Sequence, residues 1–378
     1  MKVLTIGSDI NLFKKNSDVA KRAVKYGWQT DKYIIINFAK KGFSKLELSN
    51  QVTVYPTNSA GKLFYLLDAF KLAKKIVARE GIEVVSVQNP FEAAVVGWWL
   101  KKKFNIGLNI QVHGDFFGSD YWQTVNLKNA FRFRLAKRLL RRADSIRAVS
   151  KRIGLSLKRF GIPADKIIIA PIYVDWQDFQ NRDSEMDLQF EFTNKFVILS
   201  VCRLAAEKNL DLLIEAFGDL SGQYRELVLV IVGAGPEEKK LKAIAARLGL
   251  TDKVFFMGWQ DEPSGYYKSA DLMVITSASE GYNRTVIEAM ACGCPIVMSD
   301  VGLAGEILIH EQNGLVYEVG DKASLVKSIE RMLTDVNLRE KFIANGFLAV
   351  QKLPSEAELL KRIQDGWQKA VNPEKNHE

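Results

Sequence analysis

The chain has 378 residues, 47% of them hydrophobic, with 53 Lys+Arg against 44 Asp+Glu and a formal net charge of +9. That length fills two domains of ordinary size, each with its own core, and excludes a single small module. Three cysteines, Cys202, Cys292 and Cys294, are an odd number that builds no disulfide framework and fits a reducing compartment; with no second Cys or His pair beside them, neither a metal nor any other cofactor is expected.

In chain order, the first apolar run, Val3–Ile6, turns polar at Ser8 and Asp9. A signal peptide needs an uninterrupted apolar stretch of roughly 7–15 residues, so this run reads as a β-strand. Further β-branched runs follow at Tyr33–Asn37, Val84–Gln88, Leu108–Val112, Ile146–Val149 and Ile167–Ile169, separated by helical patterns such as Leu63–Arg79. Strands alternating with helices predict a parallel sheet covered on both faces. The most apolar helical stretch, Ala93 to Leu100, falls short of the roughly 20 residues that span a bilayer, and no transmembrane segment is expected.

A polar, aperiodic stretch from Gln177 to Glu191 marks the domain boundary, giving a first domain over 1–178 and a second over 179–354. The second series of strands runs Phe196–Val201, Leu227–Val232, Lys253–Met257, Leu272–Ile275, Ile296–Met298 and Leu315–Tyr317. The fold class is therefore α/β, two Rossmann-like doubly wound parallel sheets facing each other across a cleft, with ligands at the carboxyl ends of strands. Charge divides with the domains: residues 1–180 hold 31 Lys+Arg against 14 Asp+Glu, residues 181–378 hold 22 against 30. A basic first half suggests an anionic partner, either a phosphate-bearing acceptor or an anionic membrane surface. Phe131-Arg132-Phe133-Arg134-Leu135-Ala136-Lys137-Arg138-Leu139-Leu140-Arg141-Arg142 reads either as a basic amphipathic helix lying on such a membrane or as a solvated helix packed on the sheet. The location follows as cytoplasmic, free or peripheral at the inner face of the plasma membrane. Helix-turn-helix, Cys/His-finger and basic–aromatic signatures are missing, so nucleic acid is not the expected partner.

Two strings carry chemistry. Directly after the strand Phe196–Val201 comes Cys202-Arg203-Leu204-Ala205-Ala206-Glu207-Lys208-Asn209, which sends the cations Arg203 and Lys208 off a strand end. They suit a diphosphate and the charge that builds on it as a bonded group departs. After Leu272–Ile275 comes Ser279-Glu280-Gly281-Tyr282-Asn283-Arg284-Thr285-Val286-Ile287-Glu288-Ala289-Met290-Ala291-Cys292-Gly293-Cys294-Pro295. A helix opening near Asn283–Thr285 offers N–H groups and a positive dipole end to phosphate. Glu288, about a turn in, can accept hydrogen bonds from hydroxyl groups, and Glu280 lies in the loop before that helix. Asp-x-Asp at a strand end, which would hold a divalent ion, is missing.

The Glu280-x7-Glu288 pair within this string, with Arg203-Leu204 and Glu207-Lys208-Asn209, resembles the signature of the family 4, glycosyl transferases group 1, enzymes. The resemblance implies a GT-B fold and a metal-independent hexosyltransferase-type enzyme. It would move a sugar from a UDP- or GDP-sugar onto a saccharide or lipid-linked acceptor with retention, in cell-surface polysaccharide or glycolipid synthesis. It further implies a donor-side turn at Gly233, a base-bordering loop after Met257, a histidine near the donor sugar at His113, and an acceptor-side loop at Gly7 and Asp9. There many relatives carry a glycine pair, and this chain has a single glycine. Cys202 replaces a common glycine, and Ile172-Tyr173 replaces Asn-Gly. A final helix near Ser355–Ala370, with Leu360 and Trp367, should cross back onto the first domain. The site set is thus Glu280, His113, Arg203 and Lys208 as catalytic residues, and Arg203, Lys208, Gly233, Met257, Gly281, Tyr282, Asn283, Arg284, Thr285 and Glu288 for the donor. The alternatives are a non-catalytic nucleotide-sugar-binding module and a sugar-nucleotide 2-epimerase on the same fold.

Overall fold

A computed structural model describes residues 1–119, 121–122 and 127–372, with the backbone alone at 127–131. The chain forms two compact units. One comprises Met1–Pro171 together with the segment from Pro354 onward, the other Ile172–Leu353. The polar stretch Gln177 to Glu191 lies just inside the second unit, where it forms the short helices Trp176–Asn181 and Leu188–Glu191. No described helix is long and apolar enough to cross a membrane.

In the first unit β1 (Lys2–Gly7), β2 (Lys32–Asn37), β3 (Leu46–Glu47), β4 (Val52–Pro56), β5 (Val84–Val87), β6 (Gly107–Val112), β7 (Ser145–Ala148) and β8 (Ile167–Ile169) lie in the order β3-β4-β2-β1-β5-β6-β7-β8. Ile34, Ile35 and Ile36 are all buried, as a parallel strand covered on both faces requires. The sequence reading misses β3 and β4. The first is only two residues long and pairs antiparallel, Leu46 opposite Val54, at the sheet edge, and the second ends in Pro56, whose missing N–H suits an edge position.

The helix Glu356–Val371 opens with a capping box, Ser355 and Glu358 satisfying each other's backbone N–H groups. It lies across β5, β6, β7 and β8. Trp367 is 1% exposed and its ring sits 5.6 Å from Tyr33 and 6.5 Å from Tyr26. The approach is close enough that a Cβ on Gly107 would stand 2.4 Å from the Ala370 carbonyl oxygen.

The second unit holds β9 (Phe196–Val201), β10 (Leu227–Val232), β11 (Val254–Gly258), β12 (Leu272–Ile275), β13 (Ile296–Ser299) and β14 (Leu315–Tyr317), ordered β11-β10-β9-β12-β13-β14 and wholly parallel. Its core gathers Ile198, Leu229, Ile231, Val274 and Phe217. In each sheet the order reverses at one place, between β1 and β5 and between β9 and β12. Helices diverge to opposite faces there, and a crevice opens beyond the strand ends.

Candidate functional site

At the reversal of the second sheet, the backbone ladder continues past the strands. Cys202 N–H donates to Val232 O (3.1 Å), Leu204 N–H to Ala234 O (3.1 Å) and Glu237 N–H to Leu204 O (3.0 Å). Glycine makes this possible. Gly233 has φ +137°, and a Cβ there would lie 1.9 Å from Cys202 O; a Cβ on Gly235 would lie 2.2 Å from Leu204 O. Gly233 thus serves first to let the loops after β9 and β10 touch.

The turn Ala206–Lys208 then carries Lys208 to Glu280. Lys208 Nζ lies 2.6 Å from Glu280 Oε1, the two side chains 18% and 11% exposed. Ser277 Oγ donates to the same oxygen at 2.7 Å. Thr276 Oγ1 donates to Lys208 O (2.9 Å) and Ala278 N–H to Glu207 O (2.8 Å), so the loops after β9 and β12 are stitched together. Arg203 pairs with Glu207 and remains 65% exposed. Burial pushes the Glu207 carboxyl up, but its own backbone hydrogen bond and Arg203 outweigh that and hold it below the usual range.

The helix Arg284–Ala291 follows Asn283, whose backbone is left-handed at φ 56°, and no side chain caps its start. Thr285 Oγ1 donates to Asn283 Oδ1 at 2.6 Å. Glu288 is 7% exposed; it accepts from the Tyr267 hydroxyl at 3.1 Å, and Arg284 stands 3.4 Å from its other oxygen. Burial, then the Glu288 charge, pushes the Tyr267 phenol well up, so it stays a donor. Tyr282 is 5% exposed, which leaves a ligand mainly its backbone. Gly302, at φ +56°, is held against Glu280, whose Cβ an added methyl would meet at 2.9 Å. Met257 lies in β11, half-buried, and the following Gly258 carbonyl accepts from Gly233 N–H at 2.8 Å. The second unit thus carries Arg203, Lys208, Gly233, Met257, Glu280, Gly281, Tyr282, Asn283, Arg284, Thr285 and Glu288 on the elements at or just after the ends of β9 to β12. Ser277, Tyr267 and Gly302 escape the sequence reading, since each acts through a contact formed only on folding. Cys292 and Cys294 are free; burial pushes the Cys292 thiol up to about 12 and raises Cys294 as well.

In the first unit His113 follows β6, half-buried, with Nε2 3.0 Å from Gln111 Oε1. Desolvation, followed by the charges of Arg147 and Arg22, lowers its pKa to about 3, so the imidazole is neutral. His310 instead accepts Val316 N–H through Nδ1 at 2.9 Å, and His377 lies outside the described residues. Asp9 accepts Asn11 N–H at 3.0 Å and caps the turn Ile10–Phe13. A Cβ on Gly7 would meet the Gln88 side chain at 2.3 Å. A cavity of about 280 Å³ opens at this sheet's reversal, lined by Ser8, Asn89, Phe91, Phe116, Trp122 and the Glu92–Arg132 ion pair. The basic helix Leu127–Arg142 buries Ala136, Leu139 and Leu140, and Phe133 packs on Phe91 and Phe117. These described apolar side chains are turned to the interior, while the side chains at 127–131, Phe131 among them, lie outside the described residues.

The family model for glycosyl transferases group 1 matches residues 181–348 and that for glycosyltransferase family 4 matches residues 32–177. An uncharacterized glycosyltransferase of Methanocaldococcus jannaschii is 25% identical over 293 residues, which cover 75% of this chain and 74% of that one. Sucrose-phosphate synthase from Thermosynechococcus elongatus superposes with a TM-score of 0.80 at 21% identity, covering 97% of this chain and 98% of that one. Anabaena HepE, solved in complex with UDP-glucose, gives 0.76 at 21% over 97% and 98%. With two parallel-sheet units of the GT-B kind and both family models matched in succession, the chain belongs to glycosyltransferase family 4, glycosyl transferases group 1, and is a hexosyltransferase-type enzyme.

Proposed function

We propose that the enzyme transfers a hexose from a UDP- or GDP-sugar to a saccharide or lipid-linked acceptor, with retention and without a metal, in cell-surface polysaccharide or glycolipid synthesis. The observation that carries this reading is the Lys208–Glu280–Ser277 cluster at the reversal of the second sheet, next to an uncapped helix start. A diphosphate resting on that helix start meets N–H groups and the positive dipole end. Arg203 and Lys208 neutralise the charge released as the sugar–phosphate bond breaks, the work a metal would otherwise do. Glu288, steadied by Tyr267 and Arg284, receives the ribose hydroxyls, and Glu280, fixed by Lys208 and Ser277, stands at the sugar. In a front-face displacement the acceptor oxygen bonds to the anomeric carbon while its proton passes to the departing phosphate oxygen. On the first unit, the resemblance to the family supports His113 as a site residue, and its imidazole is neutral.

The aromatic cavity beside Ser8 and Asn89 supports an acceptor on the first unit, near Gly7 and Asp9. A peripheral membrane position is supported by a different surface from the basic helix. Leu63, Phe64 and Leu67 are 91%, 50% and 53% exposed at the start of the helix Tyr65–Glu80, and the exposed Lys71, Lys74 and Lys75 continue along it.

Thermal unfolding with a panel of UDP- and GDP-sugars tests the donor assignment. A true donor at a hundred times its dissociation constant raises stability by roughly 2.7 kcal/mol, and acceptor turnover with that donor should persist in EDTA. Stabilisation by no sugar nucleotide would sink the proposal.

A further inference from the structure

A chain of buried side chains runs across the first sheet, and the direction of every hydrogen bond in it is determined. At one end the Gly366 carbonyl, on the helix Glu356–Val371, can only accept, so the Ser145 hydroxyl donates to it (2.6 Å). Ser145 Oγ is then left to accept, and Asn109 must offer it the amide nitrogen (2.8 Å). Asn109 therefore turns its oxygen to Ser86, which donates (2.8 Å), and Ser86 in turn accepts from Gln111 Nε2 (2.9 Å). Gln111 consequently points its oxygen the other way. At the far end Arg147, which can only donate, reaches that oxygen through Nη1 at 3.2 Å. Both ends demand the same orientation, so the usual ambiguity of amide assignment does not arise at Asn109 and Gln111. His113 Nε2, 3.0 Å from the same oxygen, must carry hydrogen.

Arg147 is itself rigid. It is 4% exposed, and it donates through Nε to Ala170 O (2.8 Å) and through Nη2 to Pro171 O (3.0 Å). Tyr26 lies under the guanidinium, and among the described residues no carboxylate pairs with it. Ordinary packing would not select a buried cation on a parallel strand, since an apolar residue there costs nothing in desolvation. Its effect on the neighbouring imidazole is specific: it orients Gln111 and opposes a second positive charge beside it.

We propose that Arg147 is a positioning residue, which through Gln111 holds His113 as the neutral Nε2–H tautomer and so presents Nδ1 as a bare acceptor for a substrate hydroxyl. The tautomer follows from the network alone; its use on a substrate rests on the reading of His113 as a site residue. A carbonyl or carboxylate of the substrate would find no donor at Nδ1, whereas a sugar hydroxyl would donate its hydrogen to it.

The test is nitrogen-15 NMR of imidazole-labelled full-length enzyme, with the His113 signals assigned by their loss in His113→Gln. The wild type should show Nδ1 unprotonated and Nε2 protonated near neutral pH, as a single tautomer. Arg147→Met and Gln111→Leu should mix the tautomers and lower kcat on the order of 10- to 100-fold with the KM for the sugar nucleotide little changed, and Arg147→Lys should recover part of both. An Nδ1–H or mixed tautomer in the wild type overturns the proposal, whatever the variants do. A pure Nε2–H tautomer with His113→Gln as active as wild type overturns instead the substrate role of His113, and leaves the network assignment standing.

Discussion

Lys208 and Glu280 are each other's nearest charge in this state, and both have other work in the proposed reaction. Removing one partner leaves the other half-desolvated. Lys208→Met should therefore cost about 1–3 kcal/mol of stability, read from the urea midpoint, as well as weakening nucleotide-diphosphate binding, most of all when combined with Arg203→Ala. Glu280→Gln keeps an acceptor for Ser277 and should reduce turnover while leaving nucleotide affinity nearly intact; a lost nucleotide site with normal turnover per bound donor would count against the assignment. His113 supplies a prediction in pH. An unfolded chain takes a proton at this residue below about pH 6.5, whereas the folded chain refuses it until about pH 3. The unfolded state thus binds more protons over that interval, and stability from this group, complete above pH 6.5, drains as pH falls. At pH 5 the loss amounts to at most about 2 kcal/mol. His113→Gln should flatten the fall of unfolding free energy between pH 6.5 and 4, and an unchanged slope would show that the imidazole is not desolvated.

Among elements, the loops after β9 and β10 depend on a glycine that no side chain can replace. Gly233→Ala places a methyl against the Cys202 carbonyl at a φ that L-residues avoid, and should destabilise the second unit by about 2–4 kcal/mol. The helix Glu356–Val371 depends on Trp367, and Trp367→Ala should cost about 3–5 kcal/mol; a melting temperature unmoved by that change would show that the helix does not hold the first unit together. Most of this architecture is legible beforehand, because a strand buried on both faces reads as an apolar run; β10 and β12 are uninterrupted ones, and β2 and β9 carry such runs at Tyr33–Ile36 and Phe196–Leu199. The edge pair β3–β4 is not legible, since two residues carry no period and Pro56 closes the next strand. The same contrast governs the site. Arg203, Lys208 and Glu280 stand out as charges in the loops after strands and Glu288 as one in the helix that follows, but their partners Ser277, Tyr267 and Gly302 come from turns and helices whose proximity arises only through tertiary packing. Gln111 and Arg147 read as sheet positions, and nothing in their spacing announces that they converge on one imidazole.

For the whole molecule, the excess of basic residues lies in residues 1–180 and the excess of acidic ones in 181–378. Attraction of the first unit to anionic surfaces should scale with its lysines, about 1 kcal/mol for each that reaches a charged bilayer. Vesicles containing anionic phospholipid should therefore co-sediment the enzyme at low salt and release it as salt rises. Replacing Leu63 and Phe64 together by glutamate should abolish that binding without altering stabilisation by the donor, and retention of binding would move the membrane contact elsewhere. The return of the helix Glu356–Val371 to the first sheet has another consequence, for synthesis. Domains generally mature in the order in which they leave the ribosome, yet here the β-sheet made first lacks Trp367 until after residues 172–353 have been translated. The later-made portion can reach its native state first, and the amino-terminal half must wait, its hydrophobic face uncovered and in need of chaperone protection, for the helix Glu356–Val371 to emerge.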